Sequence, residues 1–147
     1  MPDQIHLRFG ALPWNPADNA TVLEVFDQHD RPTCGLLEQG GQRYIFDCVE
    51  GHAWDINVWA YAPVTAAQVA GLRATDGEEF AARVDAVLRS GVITAALAVG
   101  DRLELIEIVD SSAISGDVYA GIMDAVLAKI ERGRSTAESL RKVQVAG

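Results

Sequence analysis

The fold of this chain is decided by the stretch CGLLEQGGQRYIFDCV, residues 34–49. Two runs of apolar and aromatic residues flank the Gly-Gly pair at 40–41, an arrangement typical of a β-hairpin closed by a tight turn. A two-residue turn places Glu38 opposite Arg43, so that opposite charges face each other across the hairpin. The stretch therefore predicts two antiparallel strands joined at the glycine pair.

The length of this turn decides what the two cysteines, Cys34 and Cys48, can do. A two-residue turn places Cys34 opposite Asp47, and the cysteines then point to opposite faces of the sheet. A loop longer by one residue would place Cys34 opposite Cys48, because a one-residue slip exchanges the faces. The charge pairing favours the shorter turn, which predicts no disulfide and agrees with a reducing compartment.

Apolar patterning predicts further strands and helices on both sides of this hairpin. The strands lie at about 5–9, 22–27, 56–61, 92–99 and 102–109, and the last two form a second hairpin over 92–109. Helical spacing and capping signals predict helices at about 65–74, 76–90, 117–131 and 135–143. The capping boxes are Thr65-x-x-Gln68 and Thr75-x-x-Glu78, and Gly133 is expected to end the third helix.

These elements predict a single α+β domain over 1–147. The hairpins alternate with helices instead of following a strict strand-helix-strand rhythm, which favours an antiparallel sheet. We expect a two-layer structure in which a largely antiparallel sheet of about six or seven strands carries the helices mostly on one face.

Composition narrows the class of protein. The chain has 147 residues, 49% of them hydrophobic, and a formal net charge of −9. An acidic chain does not offer the basic face that phosphate binding needs, so we expect no nucleic-acid partner. No apolar run is long enough for a membrane span and no secretion signal opens the chain, so we expect a cytoplasmic protein without a membrane partner. Phosphate-loop and dinucleotide fingerprints are absent, and no cofactor is expected.

One segment carries a resemblance. The pattern Phe26-Asp27-x-x-Asp30-x-Pro32-x-x-Gly35, continuing through Gly41 and Tyr44-x-Phe46, resembles the opening of small uncharacterised bacterial proteins. The resemblance, over residues 26–46, implies a bacterial protein and implies no activity. In physical terms, Gly35 is expected to leave room for the ring of Phe46 on the facing strand.

Acidic and imidazole side chains cluster near two predicted strand ends. Asp27, His29 and Asp30 lie at one end, and His52 and Asp55 lie in a later loop. Such groups could perform general acid–base chemistry or hold a divalent metal, which suggests a small metal-assisted hydrolase if the loops converge. The tryptophans that could wall its pocket are Trp14, Trp54 and Trp59.

A second set has the side-chain types that bind zinc: His29, Cys34, Cys48 and His52. The set lacks the C-x2-C spacing of a zinc finger or ribbon. The preferred hairpin register also separates the cysteines, so we favour no metal site here.

No catalytic motif of good specificity is present, and we therefore expect a binding or assembly module more than an enzyme. The helix predicted at 117–131 has a broad apolar face that a second copy of the chain could cover, which suggests a homodimer. The residues of this interface are Val118, Ile122, Val126 and Ile130.

A third hypothesis follows from the charge distribution. Residues 1–61 contain nine Asp and Glu against three Lys and Arg, a net charge of −6. Charge complementarity steers association, so the chain could act as an acidic regulator or immunity-type protein that binds a basic protein partner.

Overall fold

The computed structural model describes residues 20–29, 31–51, 56–100 and 102–146. Within these ranges the chain forms one antiparallel sheet whose six strands lie in sequence order, so each strand pairs with the next along the chain. The strands are β1 (Ala20–His29), β2 (Arg31–Gln39), β3 (Gln42–Glu50), β4 (Ile56–Pro63), β5 (Val92–Val99) and β6 (Arg102–Asp110). The helices are α1 (Ala66–Arg73), α2 (Gly77–Leu88) and α3 (Val118–Ala146), and a short 3-10 turn (Ser111–Ala113) follows β6.

The central hairpin has the predicted two-residue turn. Gln39 pairs with Gln42, and the register continues to Cys34 opposite Asp47. Gly40 and Gly41 have φ angles of 58° and 79°. Positive φ at both central positions matches the twist of the flanking strands and is readily adopted by glycine. The register prediction is therefore confirmed.

Gly35 leaves room for the neighbouring strand and for the ring of Phe46, as the sequence predicted for the ring. A Cβ atom at Gly35 would lie 2.3 Å from the Glu24 carbonyl oxygen and 2.7 Å from Cζ of Phe46. Neither distance is compatible with a side chain, so Gly35 lets β1 and the Phe46 ring approach β2 closely.

The helix starts agree with the sequence in one case and correct it in the other. Thr65 accepts from the Gln68 N–H, and the Gln68 side chain accepts from the Thr65 N–H, which confirms the first capping box. The second box is wrong, because the Thr75 hydroxyl donates to the carbonyl oxygens of Gly71 and Leu72 at the end of α1. The N-cap of α2 is Asp76, whose side chain makes no capping hydrogen bond.

The segments predicted as two helices, 117–131 and 135–143, form the single helix α3. Gly133 does not end it, because a glycine stops a helix when it adopts a positive φ, and Gly133 does not. In a helical conformation glycine only lowers helix stability by about 1 kcal/mol relative to alanine.

The two faces of the sheet carry separate apolar clusters. The helix-side face packs against α1, α2 and α3, and its cluster includes Leu36, Ile45, Val58, Ala60, Val69, Leu72, Val87, Leu88 and Ile93. The opposite-face cluster consists of Leu37, Tyr44, Phe46, Trp59, Tyr61, Ala96 and Ala98, all of them buried. The predicted α+β class with an antiparallel sheet is confirmed. The segment predicted as a strand at 5–9 lies outside the described residues.

The apolar face of α3 requires a correction to the predicted interface. Val118, Ile122 and Val126 are at most 1% exposed and belong to the helix-side cluster, and Ile130 packs against that cluster. The reason is that the apolar stripe of an amphipathic helix covers the sheet of the same chain. A second copy therefore cannot use this face without opening the core. No helix in the described ranges combines the length and apolarity needed to cross a membrane.

The continuity of α3 leads to a stability prediction. We expect Gly133→Ala to raise the free energy of unfolding by about 0.5–1 kcal/mol, because a glycine in a helix loses more backbone entropy on folding than an alanine does. Nothing lies within 4 Å of the position of a new Cβ. Urea denaturation would measure the change. The matched control is Gly40→Ala, which also has open space but a φ of 58°, and it should lower stability. A loss of stability in Gly133→Ala would contradict a continuous helix.

Candidate functional site

The hydrolytic set predicted from the sequence is only partly covered by the structure. Asp27 lies exposed on β1, and His29 is the last residue of that strand. Trp59 is 0% exposed within the opposite-face cluster, so it does not wall an open pocket. The remaining members lie outside the described residues: Trp14, Asp30, His52, Trp54 and Asp55.

The two cysteines lie on opposite faces of the sheet. Cys34 belongs to the helix-side cluster, whereas Cys48 packs against the opposite-face cluster, and neither is in a disulfide. Because the sheet separates them, Cys34 and Cys48 cannot bind one metal ion together. The described residues contain no group of three or more His, Cys, Asp or Glu side chains that could hold a metal.

A polar cluster interrupts the apolar packing between the sheet and α3. We call it the Asp47 cluster, and it consists of Asp27, Cys34, Asp47 and Tyr119. The first three lie in one cross-strand row, with Asp27 opposite Cys34 and Cys34 opposite Asp47. Tyr119, in the first turns of α3, donates its hydroxyl hydrogen to Oδ2 of Asp47. This hydrogen bond joins the helix to the middle of the sheet.

The charge on Asp47 is held inside the protein. Asp47 is 7% exposed, and burial raises the pKa of its carboxyl from 3.8 to about 6. Hydrogen bonds from Tyr119 and Cys34 oppose the effect of burial on this pKa, while the nearby Asp27 carboxylate adds to it. A buried carboxylate is tolerated when donors satisfy its oxygens, and Tyr119 and Cys34 supply them.

The same surroundings suppress the reactivity of Cys34. Burial raises the pKa of the Cys34 thiol well above its usual range, and the Asp47 and Asp27 carboxylates raise it further. The thiol, not the nucleophilic thiolate, is therefore the form present at neutral pH. Burial likewise raises the pKa of Tyr119. These groups act in this cluster as hydrogen-bond donors to Asp47.

An open groove lies beside the Asp47 cluster, between β1 and the turn that joins α1 to α2. It has a volume of about 320 Å³. We call it the β1 groove, and its lining residues are Glu24, Phe26, Leu72, Arg73, Thr75, Asp76, Gly77 and Phe80. Asp47 is not among them, so the buried acid does not face this cavity.

The β1 groove combines an aromatic floor with a charged rim. The rings of Phe26 and Phe80 pack edge to face, with centroids 5.3 Å apart. At the rim, Arg73 contacts Glu24 Oε1 through Nη2 at 2.7 Å and through Nε at 2.8 Å. Asp76 makes no capping hydrogen bond to α2, although it occupies the N-cap. The Arg73 guanidinium at the rim is therefore paired with Glu24, whereas the Asp76 carboxylate is exposed.

The two outer strands of the described sheet differ in how they are protected. On β6, Lys129 donates to the carbonyl oxygen of Ile106, and Arg132 forms an ion pair of 2.7 Å with Glu107. Both cations come from α3, so this helix contacts the strand at Ile106 and Glu107. Natural proteins use such devices to prevent edge strands from pairing with other chains.

β1 has one comparable device, the ion pair of Arg73 with Glu24, but the described contacts include none from a helix to its main chain. Leu23 is 45% exposed and Val25 is 40% exposed. The strand contains no lysine and no proline, the residues that commonly block an edge. Register shifts in β1, between Val22 and Glu24 and between Val25 and Asp27, keep its regular stretches short. Within the described ranges no strand pairs with the outer side of β1, and its regular ladder is short.

Sequence reasoning missed both Tyr119 and the β1 groove. Asp47 opposite Cys34 was visible from the hairpin register, but the hydrogen bond to Tyr119 spans 72 residues and has no local signal. The groove joins β1 residues to residues of α1 and α2. An apolar Phe80 at the start of a helix indicates core packing. The residues next to it in the sequence do not indicate that its ring contacts Phe26.

No protein-family model matches this chain, and no curated protein or solved structure matches it either. Its function must therefore be inferred from the geometry of its own residues.

The raised pKa of Asp47 predicts a pH-dependent stability. The folded protein holds this proton more tightly than the unfolded chain, so the contribution is full below about pH 4 and is lost as pH rises through about 6. Between about pH 3 and pH 7 the unfolding free energy of the parent should therefore fall by about 3 kcal/mol relative to that of Asp47→Asn. Urea denaturation across this pH range measures it, and a pH-independent difference would contradict the prediction.

A second prediction concerns the donor. Tyr119→Phe removes the hydroxyl and keeps the ring, so the charged carboxylate loses a hydrogen bond worth about 1.5–3 kcal/mol at neutral pH. The loss should be smaller at about pH 4, where Asp47 is protonated. Parallel urea titrations at the two pH values would measure both effects. An equal loss at both would indicate that Tyr119 acts through packing and not through the carboxylate.

Proposed function

We propose that this chain is a non-catalytic binding module that takes an extended segment of another protein along the outer edge of β1. The observation that carries the proposal is the contrast between the two edges. Lys129 of α3 donates to a main-chain carbonyl oxygen of β6, whereas β1 has no such contact among the described residues and presents exposed Leu23 and Val25 beside an open groove. An accessible edge strand can pair with an incoming strand through main-chain hydrogen bonds.

The charge of the chain supports a basic partner. The net charge is −9, and exposed carboxylates lie at the start of α2, with Asp76 lining the groove at the N-cap and Glu78 and Glu79 in the first turn. Opposite charge on a partner would raise the rate of association and fix its orientation. This extends the hypothesis of an acidic regulator that binds a basic protein.

The other hypotheses stay predictions. A hydrolase would need Asp27 to act with side chains outside the described residues, and its described neighbours, Cys34 and Asp47, form the buried cluster. A homodimer could not use the covered face of α3. Two copies could pair through β1 instead, and such pairing would appear as a concentration-dependent mass in solution.

The test is selection from a displayed library of random linear peptides, followed by affinity measurement on synthetic copies of the selected peptides. We expect Leu23→Lys and Val25→Lys to weaken binding about tenfold or more, because lysine on an edge strand opposes pairing. The matched control is Ile108→Lys, since Ile108 is 41% exposed on β6, and it should bind as the parent does. Hydrogen exchange should show new protection at β1 amides.

Three results would overturn the proposal. The first is a library that yields no binder, and the second is equal weakening in the β6 control. The third is protection that appears away from β1. If the purified chain instead forms a dimer that the two β1 lysine variants disrupt, its partner is a second copy and not a basic protein.

A further inference from the structure

The short regular ladder of β1 requires an additional anchor for any segment that binds there. We propose that the β1 groove holds a cationic side chain, arginine or lysine, from the segment that docks on β1. This inference rests on the proposed function, because it names the side chain that the same site selects.

The position of the groove fits this role. Glu24 and Phe26 belong to β1, and both face the helix side of the sheet, where Arg73 and Phe80 meet them. Side chains alternate between the two faces along a strand. A segment paired with β1 would therefore direct every second side chain toward the helix-side face and the mouth of the groove.

The size of the groove favours a side chain over a larger ligand. Its volume of about 320 Å³ lies at the lower limit for pockets that hold small molecules. A long, narrow side chain with an apolar stem and a charged end fits such a space, since the stem can pack on Phe26 and Phe80 while the end stays at the rim.

The charges of the groove favour a cation. Arg73 uses its Nε and Nη2 in the ion pair with Glu24, so the Glu24 carboxylate already offsets the one positive charge that lines the groove. The Asp76 carboxylate lines the groove and makes no hydrogen bond or ion pair within the described part of the chain. Glu78 and Glu79 add exposed negative charge in the first turn of α2. An anionic side chain in the groove would therefore be repelled by Asp76, which lines it.

The aromatic floor favours the same class of ligand. Phe26 and Phe80 are partly buried, and their edge-to-face packing leaves ring surface along the cavity. A guanidinium or ammonium group over an aromatic face is attracted by the ring quadrupole. Carboxylate and ring together therefore recognise the charged end and the stem of one side chain.

The test is an NMR titration of the full chain with Nα-acetyl-arginine amide at millimolar concentration. The control probe is Nα-acetyl-citrulline amide, which has the same shape without the charge. We expect saturable shifts at Phe26, Phe80 and Thr75 with the arginine probe and much weaker shifts with citrulline. The shifts should weaken as salt is added, because exposed charges are screened.

A variant pair sharpens the test. Asp76→Asn should weaken binding of the arginine probe about fivefold, the upper range for an exposed ion pair. Asparagine is a good N-cap residue and the native side chain makes no capping bond, so the variant should fold. The control is Asp124→Asn on α3, an exposed carboxylate that does not line the groove, and it should bind as the parent does.

Several outcomes overturn the inference. They are the absence of saturable shifts at the groove residues, equal binding of citrulline, and binding of inorganic phosphate at the same residues in place of arginine. The titration requires no pairing with β1, so it is independent of the proposed function. If the arginine probe does not bind but selected peptides bind at β1, only the inference about the groove is overturned. If the probe binds but no peptide is selected, the groove inference stands and the proposed binding module is overturned.

Discussion

The two-residue turn at Gly40 and Gly41 sets the face on which every side chain of the central hairpin lies. Because side chains alternate along a strand, this register sends Leu36 and Ile45 to the helices and Leu37 and Phe46 to the other side. A slip by one residue would exchange both apolar clusters. It would also move Asp47 away from α3 and bring the two cysteines together. The glycines at 40–41 therefore control packing, charge placement and thiol chemistry at once.

The register places a carboxylate in the core, and the helix that covers it supplies the donor. Asp47 would destabilise an apolar interface on its own, since burial disfavours its charged form. Tyr119 compensates for part of that cost and positions the start of α3 over β3. Cys34 adds a second donor from the neighbouring strand. The cluster joins β1, β2, β3 and α3. This structural role explains why the carboxylate is buried better than a catalytic role would.

The difference between the sheet edges follows from where the helices lie. Residues of α3 reach β6 and place Lys129 and Arg132 on that strand. The turn between α1 and α2 reaches β1 from the helix side only, and it leaves a groove instead of a cover. We propose this edge, with the acidic, aromatic groove beside it, as the surface for a basic, extended partner.

The sequence by itself determined the features that depend on neighbouring residues. The hairpin register, the Thr65 cap, the placement of the two cysteines on opposite faces and the α+β class were predicted correctly because turn geometry, capping and alternation act over a few residues. Tertiary structure decided the rest. It kept α3 continuous through Gly133, since no left-handed glycine was required there, and it assigned Thr75 to the end of α1. It also covered Val118 and Ile122 with the chain's own sheet, brought Tyr119 to Asp47 and formed the groove around Phe26 and Phe80. These contacts join residues far apart in the chain, and no local pattern specifies which distant surface an apolar or polar side chain will meet.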